Sequence, residues 1–280
     1  MKQHVYTLLC ERDLTMALIT LPKVLTFLSE DQKLVILDDG SFTPGTTAVL
    51  EGLSSRVRVI TRAEREGLIL SEIDNYPACI KFREEFPLAF KLIDIPLIAM
   101  KESSRFCYTD SDIIYIKSCE AFFDRDVNTY LRTDGIKISV KLRDVFFKYG
   151  WLMPYKFNSG YFSFDCKDYD LNFIEDFLAK PDVRNMPWLV EQTCWGLLFG
   201  RSGKLYSPLE DQFVCRERFE GPEHGTLAVH LIAGLKGKVQ EWSNAADPGD
   251  TKTVPLFERS RNATLGDWLQ KSVKRIIPSI

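Results

Sequence analysis

Two carboxylates separated by one residue, in the segment Asp110-Ser111-Asp112, are the best candidates for chemistry in this sequence. On an extended segment, residues two apart face the same side, so both carboxylates can reach one cation. Hard divalent cations prefer oxygen ligands and usually share them with phosphate oxygens. The pattern recurs at Asp124–Asp126 and Asp168–Asp170, but only the first copy has apolar flanks. Burying a carboxylate is costly unless it is paired or metal-bound. The segment therefore predicts a metal site, with solvated acids at a strand end as the alternative.

His230 is the second candidate, one of three histidines, and it lies in the apolar run Thr226–Ile232. A lone histidine in such a run is more often a core residue that is hydrogen-bonded to the backbone. Lys236 follows it across a glycine, and this order of ligand, turn and cation would suit a site for a metal and a diphosphate. An imidazole ligand would favour manganese over magnesium. His224 competes for the role, but its neighbours are typical of a surface loop.

Other residues could bind or act on a sugar. Asn158 starts a predicted strand, where its amide could bind hydroxyl groups and Gly160 would allow close approach; an ordinary turn explains them equally well. Glu191 and Gln192 lie early in a predicted helix, where an acid also stabilises the helix dipole. A catalytic interpretation makes Glu191 a base, or Gln192 a residue that steadies the transferred sugar. Lys91 precedes the acidic segment and could pair with phosphate charge, although such lysines are more often solvated.

Alternating elements must position these residues. Apolar runs predict buried strands, and apolar residues at helical spacing predict helices. The predicted strands are Val5–Leu9, Lys33–Leu37, Val57–Ile60, Arg105–Ile116, Lys137–Phe147, Phe157–Asp165 and Thr226–Ile232. The predicted helices are Leu14–Leu28 (interrupted by Pro22), Thr46–Leu53, Ala78–Met100 (broken at Pro87 and Pro96), Leu171–Leu178 and Trp188–Phe199. This order predicts an α/β fold with a mixed, mostly parallel sheet flanked by helices.

Polar residues follow the predicted strands. Cys10 and Glu11 come after the first strand, and Asp38 and Asp39 after the second. Ligands of open α/β sheets bind at the carboxyl ends of the strands. We therefore expect these four residues to bind a ligand at the edge that carries the acidic segment. The glycines of 40–46 have the spacing of a phosphate-binding P-loop, but its lysine is missing, which makes phosphate binding there improbable.

Composition sets the class of protein. The 280 residues are 45% hydrophobic, enough for a sizeable core, and the formal net charge of −3 does not indicate a nucleic-acid partner. We expect a catalytic domain over residues 1–240 and a C-terminal extension over 241–280. Residues 266–277 carry apolar side chains beside Lys271, Lys274 and Arg275. This pattern fits a short helix on an anionic membrane, or equally one packed on its own domain or a second subunit.

The N-terminal segment and the cysteines predict the cellular compartment of the protein. Residues 1–15 lack the apolar run of a signal peptide, and no stretch approaches the ~18 apolar residues of a spanning helix. The seven cysteines are scattered and form no C-x-x-C pair. We therefore expect reduced thiols in a cytoplasmic protein, at the inner face of a membrane if the tail binds one.

In order along the chain, these segments resemble GT-A glycosyltransferases, and within them family eight, the galactosyltransferase and glycogenin group. The acidic segment resembles that family's D-x-D, and Phe157-Asn158-Ser159-Gly160 resembles its N-[AS]-G stretch. Glu191-Gln192 resembles its D-Q pair, and His230 with Lys236 its final H-x-x-G-x-x-K-P-W. Asp38-Asp39-Gly40-Ser41 is similar to the D-D-G-S of family two. The resemblance spans residues 5–238.

This sequence also differs from the family pattern. The glycine after His230 comes one position late, and Gly237-Lys238 replaces the Pro-Trp after Lys236. Glu191 stands in place of the usual aspartate.

The resemblance implies a GT-A, Rossmann-like fold that binds a nucleotide-diphosphate sugar, a UDP-sugar in particular. Asp110, Asp112 and His230 would hold its diphosphate through Mn²⁺ or Mg²⁺, and Ser111, Lys91 and Lys236 would contact it. Gln192 would lie beneath the anomeric carbon in a retaining enzyme, which is slightly favoured, and Glu191 would be the base in an inverting one. The acceptor would be a saccharide, a lipid-linked molecule or a protein.

Two other functions remain. A sugar-1-phosphate nucleotidyltransferase would carry a glycine- and arginine-rich loop after the first strand, but residues 10–15 contain no glycine. A degenerate GT-A domain that only binds a partner would be expected to lose the metal ligands, yet Asp110, Asp112 and His230 are all present.

Overall fold

The computed structural model describes residues 3–117, 120–135, 138–140, 144–145, 148–150, 152–180, 187–244 and 255–268. Three parallel strands open the fold: β1 (Val5–Leu9), β2 (Leu34–Asp38) and β3 (Val57–Ile60). They are joined by helices α1 (Leu14–Phe27) and α2 (Pro44–Glu51). The three strands and both connecting helices were predicted from the sequence, to within a few residues at their ends.

The large sheet has eight strands in the order β11-β8-β6-β7-β4-β1-β2-β3. The added strands are β4 (Arg105–Thr109), β6 (Asn128–Arg132), β7 (Phe157–Asp165), β8 (Leu205–Pro208) and β11 (Phe257–Arg259). β7 runs antiparallel between β4 and β6, and β11 is antiparallel to β8; the other neighbours are parallel. The predicted mixed, mostly parallel sheet is confirmed.

A small sheet lies beside the large one. It contains β5 (Ile113–Tyr115), β9 (Phe213–Val214) and β10 (Ala228–His230), with β10 in the centre. The sequence predicted one strand over Arg105–Ile116, and this is wrong. The chain leaves the large sheet at Thr109, turns through Asp110–Asp112 and enters the small sheet at Ile113. The two carboxylates therefore lie in the turn that links the sheets, not on one face of an extended strand.

The core covers both faces of the large sheet. Along β2, Leu34 and Ile36 pack into one apolar cluster, and Val35 and Leu37 pack into another. Such near-continuous apolar strands are typical of a parallel sheet that has helices on both sides. The carboxyl edge of the sheet is then the exposed place where ligands can bind.

The observed helices differ from the predicted ones where a proline or charged residues obscure the helical spacing of apolar residues. Pro22 does not interrupt α1, and α2 begins at Pro44, which suits the first position of a helix. Helix α3 (Arg62–Ile73) was missed. The segment around Pro87 does break into α4 (Pro77–Glu85), α5 (Ala89–Leu92) and α6 (Asp94–Glu102), but Pro96 lies in the first turn of α6 and breaks nothing.

The remaining helices are α7 (Glu120–Phe123), α8 (Leu171–Leu178), α9 (Pro187–Arg201) and α10 (Val239–Asn244), with short 3₁₀ turns at Glu11–Asp13, Cys166–Asp168 and Ala233–Lys238. The predicted strand Lys137–Phe147 is wrong for its described residues, 138–140 and 144–145, none of which is in a strand.

The chain after residue 240 returns to the large sheet. Strand β11 pairs with β8, and Trp268 is buried. Residues 269–280 lie outside the described part, so a membrane contact there stays a prediction. Among the described helices, none has both the length and the apolar character required to cross a bilayer.

Candidate active site

Three hydrogen bonds to its backbone hold the acidic turn. The N–H of Asp110 donates to the carbonyl of Gly160 (2.7 Å) and the N–H of Leu231 donates to the carbonyl of Asp112 (2.9 Å). The hydroxyl of Thr20, on α1, donates to the carbonyl of Ser111 (2.7 Å). These contacts come from β7, from the end of β10 and from the first helix. The turn is therefore fixed by three separate parts of the fold, and Ser111 is tied to α1 through its backbone.

His230 faces the turn from β10, where it pairs with Ile113 across the small sheet. Its Nε2 lies 3.1 Å from Asp112 Oδ1 and 3.5 Å from Asp110 Oδ2. One ligand atom from each of the three residues can be chosen so that all lie within 4.8 Å of one another. The structure thus brings together the three residues that the sequence singled out as metal ligands.

Gly160 makes room for the histidine ring. A Cβ added at this glycine would lie 2.7 Å from His230 Nδ1, 2.9 Å from Asn158 Oδ1 and closer still to His230 Cε1. Real Cβ atoms are essentially never that close to other heavy atoms, so a side chain here would displace the ring. The glycine of the Asn158–Gly160 segment therefore permits the approach of His230 to the acidic turn.

The negative charge of the acidic turn is balanced by Lys236 and His230. Lys236 Nζ lies 2.9 Å from Asp112 Oδ2, and Lys236 remains half exposed. Burial raises the pKa of the Asp112 carboxyl, but the charges of His230 and Lys236 outweigh burial and lower it overall. Burial conversely lowers the pKa of His230, and Asp112 more than offsets this and raises it. The carboxylate is therefore held in its ionised form, which is the form that binds a metal.

The donor set fits a divalent cation. Two carboxylates and an imidazole supply hard oxygen and borderline nitrogen ligands, a combination suited to Mn²⁺ and acceptable to Mg²⁺. Asp112 Oδ1 is buried and makes no hydrogen bond, although His230 Nε2 is near it. A buried carboxylate oxygen without a hydrogen bond is costly. A cation that is coordinated by this oxygen would remove the cost.

Behind the turn, Lys91 joins the acidic turn to α9. Its Nζ lies 3.2 Å from Asp110 Oδ1, 3.3 Å from Ser159 Oγ and 3.6 Å from Glu191 Oε1. The side chains of Lys91 and Glu191 are only 3% and 4% exposed. Tyr108 donates its hydroxyl to Asp110 Oδ1 (2.6 Å), and Lys91 lies over the ring of that tyrosine. Lys91 is thus buried as the partner of two carboxylates, and its predicted contact with phosphate charge stays a prediction.

The pKa of the Glu191 carboxyl lies well above that of an ordinary glutamate. Burial raises the pKa of its carboxyl to about 7, although Lys91 and a 3.0 Å hydrogen bond from Ser159 Oγ to Oε2 lower it. Its other oxygen, Oε1, is buried and makes no hydrogen bond, only the long contact with Lys91. The carboxylate is thus turned into the protein, towards β7 and α5.

The Glu191→Gln variant should gain stability relative to the parent chain as pH rises. Between the ordinary pKa of glutamate, near 4.5, and about 7, the folded parent keeps a proton that the unfolded chain has lost. Stability therefore falls with pH across this window, by on the order of 2 kcal/mol, and glutamine abolishes that dependence. Chemical denaturation of both proteins at pH 5 and pH 8 would measure the difference. Glu51→Gln, at an exposed position, is the control. A difference that is equal at both pH values would contradict the prediction.

Gln192 and Asn158 meet at the front of the same region. Asn158 donates from Nδ2 to Gln192 Oε1 (3.3 Å), and its Oδ1 accepts from the N–H of Gly160 (2.8 Å). Helix α9 is anchored on β7 by Trp195, whose ring lies 4.6 Å from that of Phe162. The predicted sugar-binding residues are therefore brought together on two elements that pack rigidly.

A cavity of about 780 Å³ opens at the carboxyl ends of β1 and β2. This volume is within the usual range for small-molecule sites. Its polar wall includes Cys10, Glu11 and Asp39, and its apolar wall is the loop Phe86–Leu88. Asp13 also lines it and acts electrostatically on Lys236, the partner of Asp112. Since β4 is parallel to β1, the acidic turn lies at the same edge of the sheet.

The four strand-end residues differ in what they contact. Asp39 accepts hydrogen bonds from Ser41 through one oxygen. Glu11 accepts from the hydroxyl of Thr46, and the Cys10 thiol donates to Asp13 (3.2 Å). Asp38 does not line the cavity: its carboxylate accepts from three backbone N–H groups, those of Gly40, Phe42 and Arg62. The expectation that Asp38 binds a ligand at this edge stays a prediction.

Sequence reasoning missed two features of the site. The apolar wall Phe86–Leu88 could have been noticed as a large aromatic residue next to a proline in a polar stretch. Cys215, whose sulfur lies 3.5 Å from His230 Nδ1, gives no local signal. The residues next to it in the sequence form no recognisable motif, and only the pairing of β9 with β10 brings it close to the histidine.

No family model and no curated protein matches this sequence. Solved structures do match. The galactosyltransferase LgtC, solved with donor and acceptor sugar analogues, has 11% identity and a TM-score of 0.52, over 89% of this chain and 98% of LgtC. Mouse xyloside xylosyltransferase 1 has 13% identity and a TM-score of 0.52, over 82% and 97%. The glycosyltransferase GlyE of Streptococcus pneumoniae TIGR4 has 14% identity and a TM-score of 0.53, over 87% and 60%.

These matches define the class of fold. The chain has the GT-A fold, and it resembles the family-eight glycosyltransferases, of which LgtC is one. Identities this low establish the fold alone, so the reaction has to be argued from the residues of the site.

Proposed function

We propose that this protein is a metal-dependent glycosyltransferase that moves a sugar from a nucleotide-diphosphate sugar to an acceptor. The observation that carries the proposal is the convergence of Asp110, Asp112 and His230 at the carboxyl edge of a GT-A sheet, the edge at which the cavity also opens. Two sheets and the turn between them build this cluster. A degenerate domain that only binds a partner would be expected to lose these ligands.

The cavity at the ends of β1 and β2 suits the nucleoside of the donor. Phe86 and Leu88 offer an apolar surface for a base, and Asp39 and Glu11 offer oxygens for ribose hydroxyls. The diphosphate would then extend towards the acidic turn. By resemblance to family eight we propose a UDP-sugar. The acceptor is a saccharide, a lipid-linked molecule or a protein.

Asp110, Asp112 and His230 would hold Mn²⁺ or Mg²⁺. Such an ion supplies Lewis-acid stabilisation of the departing nucleoside diphosphate. Lys236, half exposed and 2.9 Å from Asp112, adds a cation that can reach the same phosphates. Lys91 keeps Asp110 in place from behind. The chain thus supplies fixed positive charge where negative charge develops during transfer.

Retention of configuration is the outcome we favour. An inverting enzyme needs a base that can reach the hydroxyl of the acceptor. Glu191 is only 4% exposed and accepts a hydrogen bond from Ser159, so it is poorly placed for that task. Gln192 and Asn158, in contact with each other, are left to line the sugar site.

Thermal unfolding with UDP, GDP, CDP and dTDP, each with and without Mn²⁺, tests the donor site. A ligand at about 100 times its dissociation constant adds about 2.7 kcal/mol, which should raise the melting temperature by roughly 5 °C. We expect one nucleotide to do so only when Mn²⁺ is present. Phe86→Ala should reduce that shift, whereas Met100→Ala, at an exposed apolar residue that does not line the cavity, should not.

Transfer itself needs a second readout. The nucleotide that stabilises the protein should be offered as its sugar conjugates, and the release of nucleoside diphosphate should be followed with Mn²⁺ present. Release with one conjugate would identify the donor sugar before the acceptor is known. If no nucleotide shifts the melting temperature with or without metal, the proposal fails.

A further inference from the structure

The two ring nitrogens of His230 face different surroundings. Nε2 faces the carboxylates of Asp110 and Asp112, at 3.5 and 3.1 Å. A ring nitrogen can bind a metal only when it carries no proton, so the neutral ring must carry its proton on Nδ1. The hydrogen bond that Nδ1 makes therefore decides which nitrogen is available to the metal.

Among the described residues, the hydrogen-bond partner of His230 Nδ1 is the sulfur of Cys215, at 3.5 Å. Cys215 directly follows β9, which pairs in parallel with β10 through Phe213 and Val214. Its carbonyl accepts a hydrogen bond from the N–H of Asp134 (3.2 Å), and the residue is buried. The backbone of Cys215 is therefore held by the strand that precedes it and by the hydrogen bond to its carbonyl.

Gly160 lies against the edge of the ring that is formed by Nδ1 and Cε1. The backbone of this glycine comes so near that a Cβ would overlap the imidazole. The ring is thus confined by the glycine of β7 and contacts the thiol of Cys215 through Nδ1, while Nε2 faces the acidic turn. Rotation of the ring would break the contact of Nδ1 with sulfur and turn Nε2 away from the carboxylates.

We propose that Cys215 is a positioning residue for the metal ligand His230: its sulfur accepts the Nδ1–H hydrogen bond and so leaves Nε2 free to bind the ion. The inference rests on the proposed metal-dependent function. Sulfur is a weak acceptor, but partners of metal-binding histidines commonly change metal affinity by about 10- to 100-fold when removed. An effect near the lower end of that range is expected here.

Two substitutions separate hydrogen bonding from packing. Both Cys215→Ser and Cys215→Ala shorten the side chain, but serine keeps an acceptor and alanine has none. Mn²⁺ affinity, from the electron paramagnetic resonance signal of the free ion, should fall about tenfold in Cys215→Ala and much less in Cys215→Ser. Cys79→Ala, at a buried thiol in the other core cluster, is the control and should bind Mn²⁺ as the parent chain does.

Nitrogen-15 spectra of the Mg²⁺-loaded protein give a second readout, and with only three histidines His230 can be assigned. The parent chain and Cys215→Ser should show His230 protonated at Nδ1, and Cys215→Ala should show a mixture of tautomers or a ring with no bound metal. Equal Mn²⁺ affinity in the parent chain and Cys215→Ala would overturn the role of Cys215, as would a greater loss in Cys215→Ser than in Cys215→Ala. Failure of the parent chain to bind Mn²⁺ would overturn the metal site as well.

Discussion

Asp112→Asn should reduce sugar transfer by at least about 100-fold and weaken Mn²⁺ binding to a similar extent. Residues that merely support a metal ligand cost about 10- to 100-fold when removed, and Asp112 is a proposed ligand itself. Asparagine keeps the shape of the turn but supplies a neutral oxygen. Its amide also cannot balance the charge of Lys236, 2.9 Å away, or of His230.

The prediction is checked by the Mn²⁺ binding isotherm and by the rate of nucleoside diphosphate release at saturating donor. Asp126→Asn is the matched control, since Asp126 belongs to another D-x-D pattern and is exposed. The control should retain parent activity. If Asp126→Asn abolishes metal binding and Asp112→Asn does not, the site has been assigned to the wrong acidic pair.

Much of the fold could be predicted because local patterns determine it. The apolar runs of β1, β2 and β3 have the length of buried strands, and polar residues mark their ends. Helix α3 was missed because its sequence is mostly polar and the buried residues include Arg65, whose charge is paired with Asp94 inside the protein. From the sequence alone, both residues of a buried ion pair are predicted to lie on the surface, because a charged side chain by itself favours water.

The sequence predicted which residues form the site better than it predicted how they are arranged. Asp110, Asp112 and His230 do converge, but through a turn between two sheets, and periodicity cannot predict where a strand will leave one sheet for another. Cys215 is close to His230 only through the pairing of β9 with β10. The contacts that orient the ligands are long-range, so they follow from the fold and not from spacing along the chain.

Lys91 shows how such a long-range contact alters the interpretation of a residue. The sequence suggested a lysine for phosphate, whereas the structure buries it between Asp110, Ser159 and Glu191. Its ammonium group compensates two carboxylates that belong to different elements, the acidic turn and α9. The same charge thus stabilises the protein and keeps a proposed metal ligand in position.

Lys91→Met should destabilise the protein by about 3–5 kcal/mol at pH 8, because removal of one partner leaves buried charge uncompensated. Methionine keeps most of the apolar stem, so lost packing contributes little. Adding Glu191→Gln should recover part of the loss, since the double variant no longer buries that carboxylate near the missing cation. Urea denaturation of the parent, both single variants and the double variant gives the coupling energy.

The control is Lys101→Met, because Lys101 Nζ lies 2.9 Å from Glu72 Oε1 but both side chains are exposed. An exposed pair of this kind contributes about 0–1 kcal/mol, so distance alone does not decide the outcome; burial does. Losses of equal size in Lys91→Met and Lys101→Met would contradict a buried ionic network. A large loss in Lys91→Met without recovery by Glu191→Gln would assign the effect to Asp110, which would make Lys91 a support of the acidic turn and not of α9.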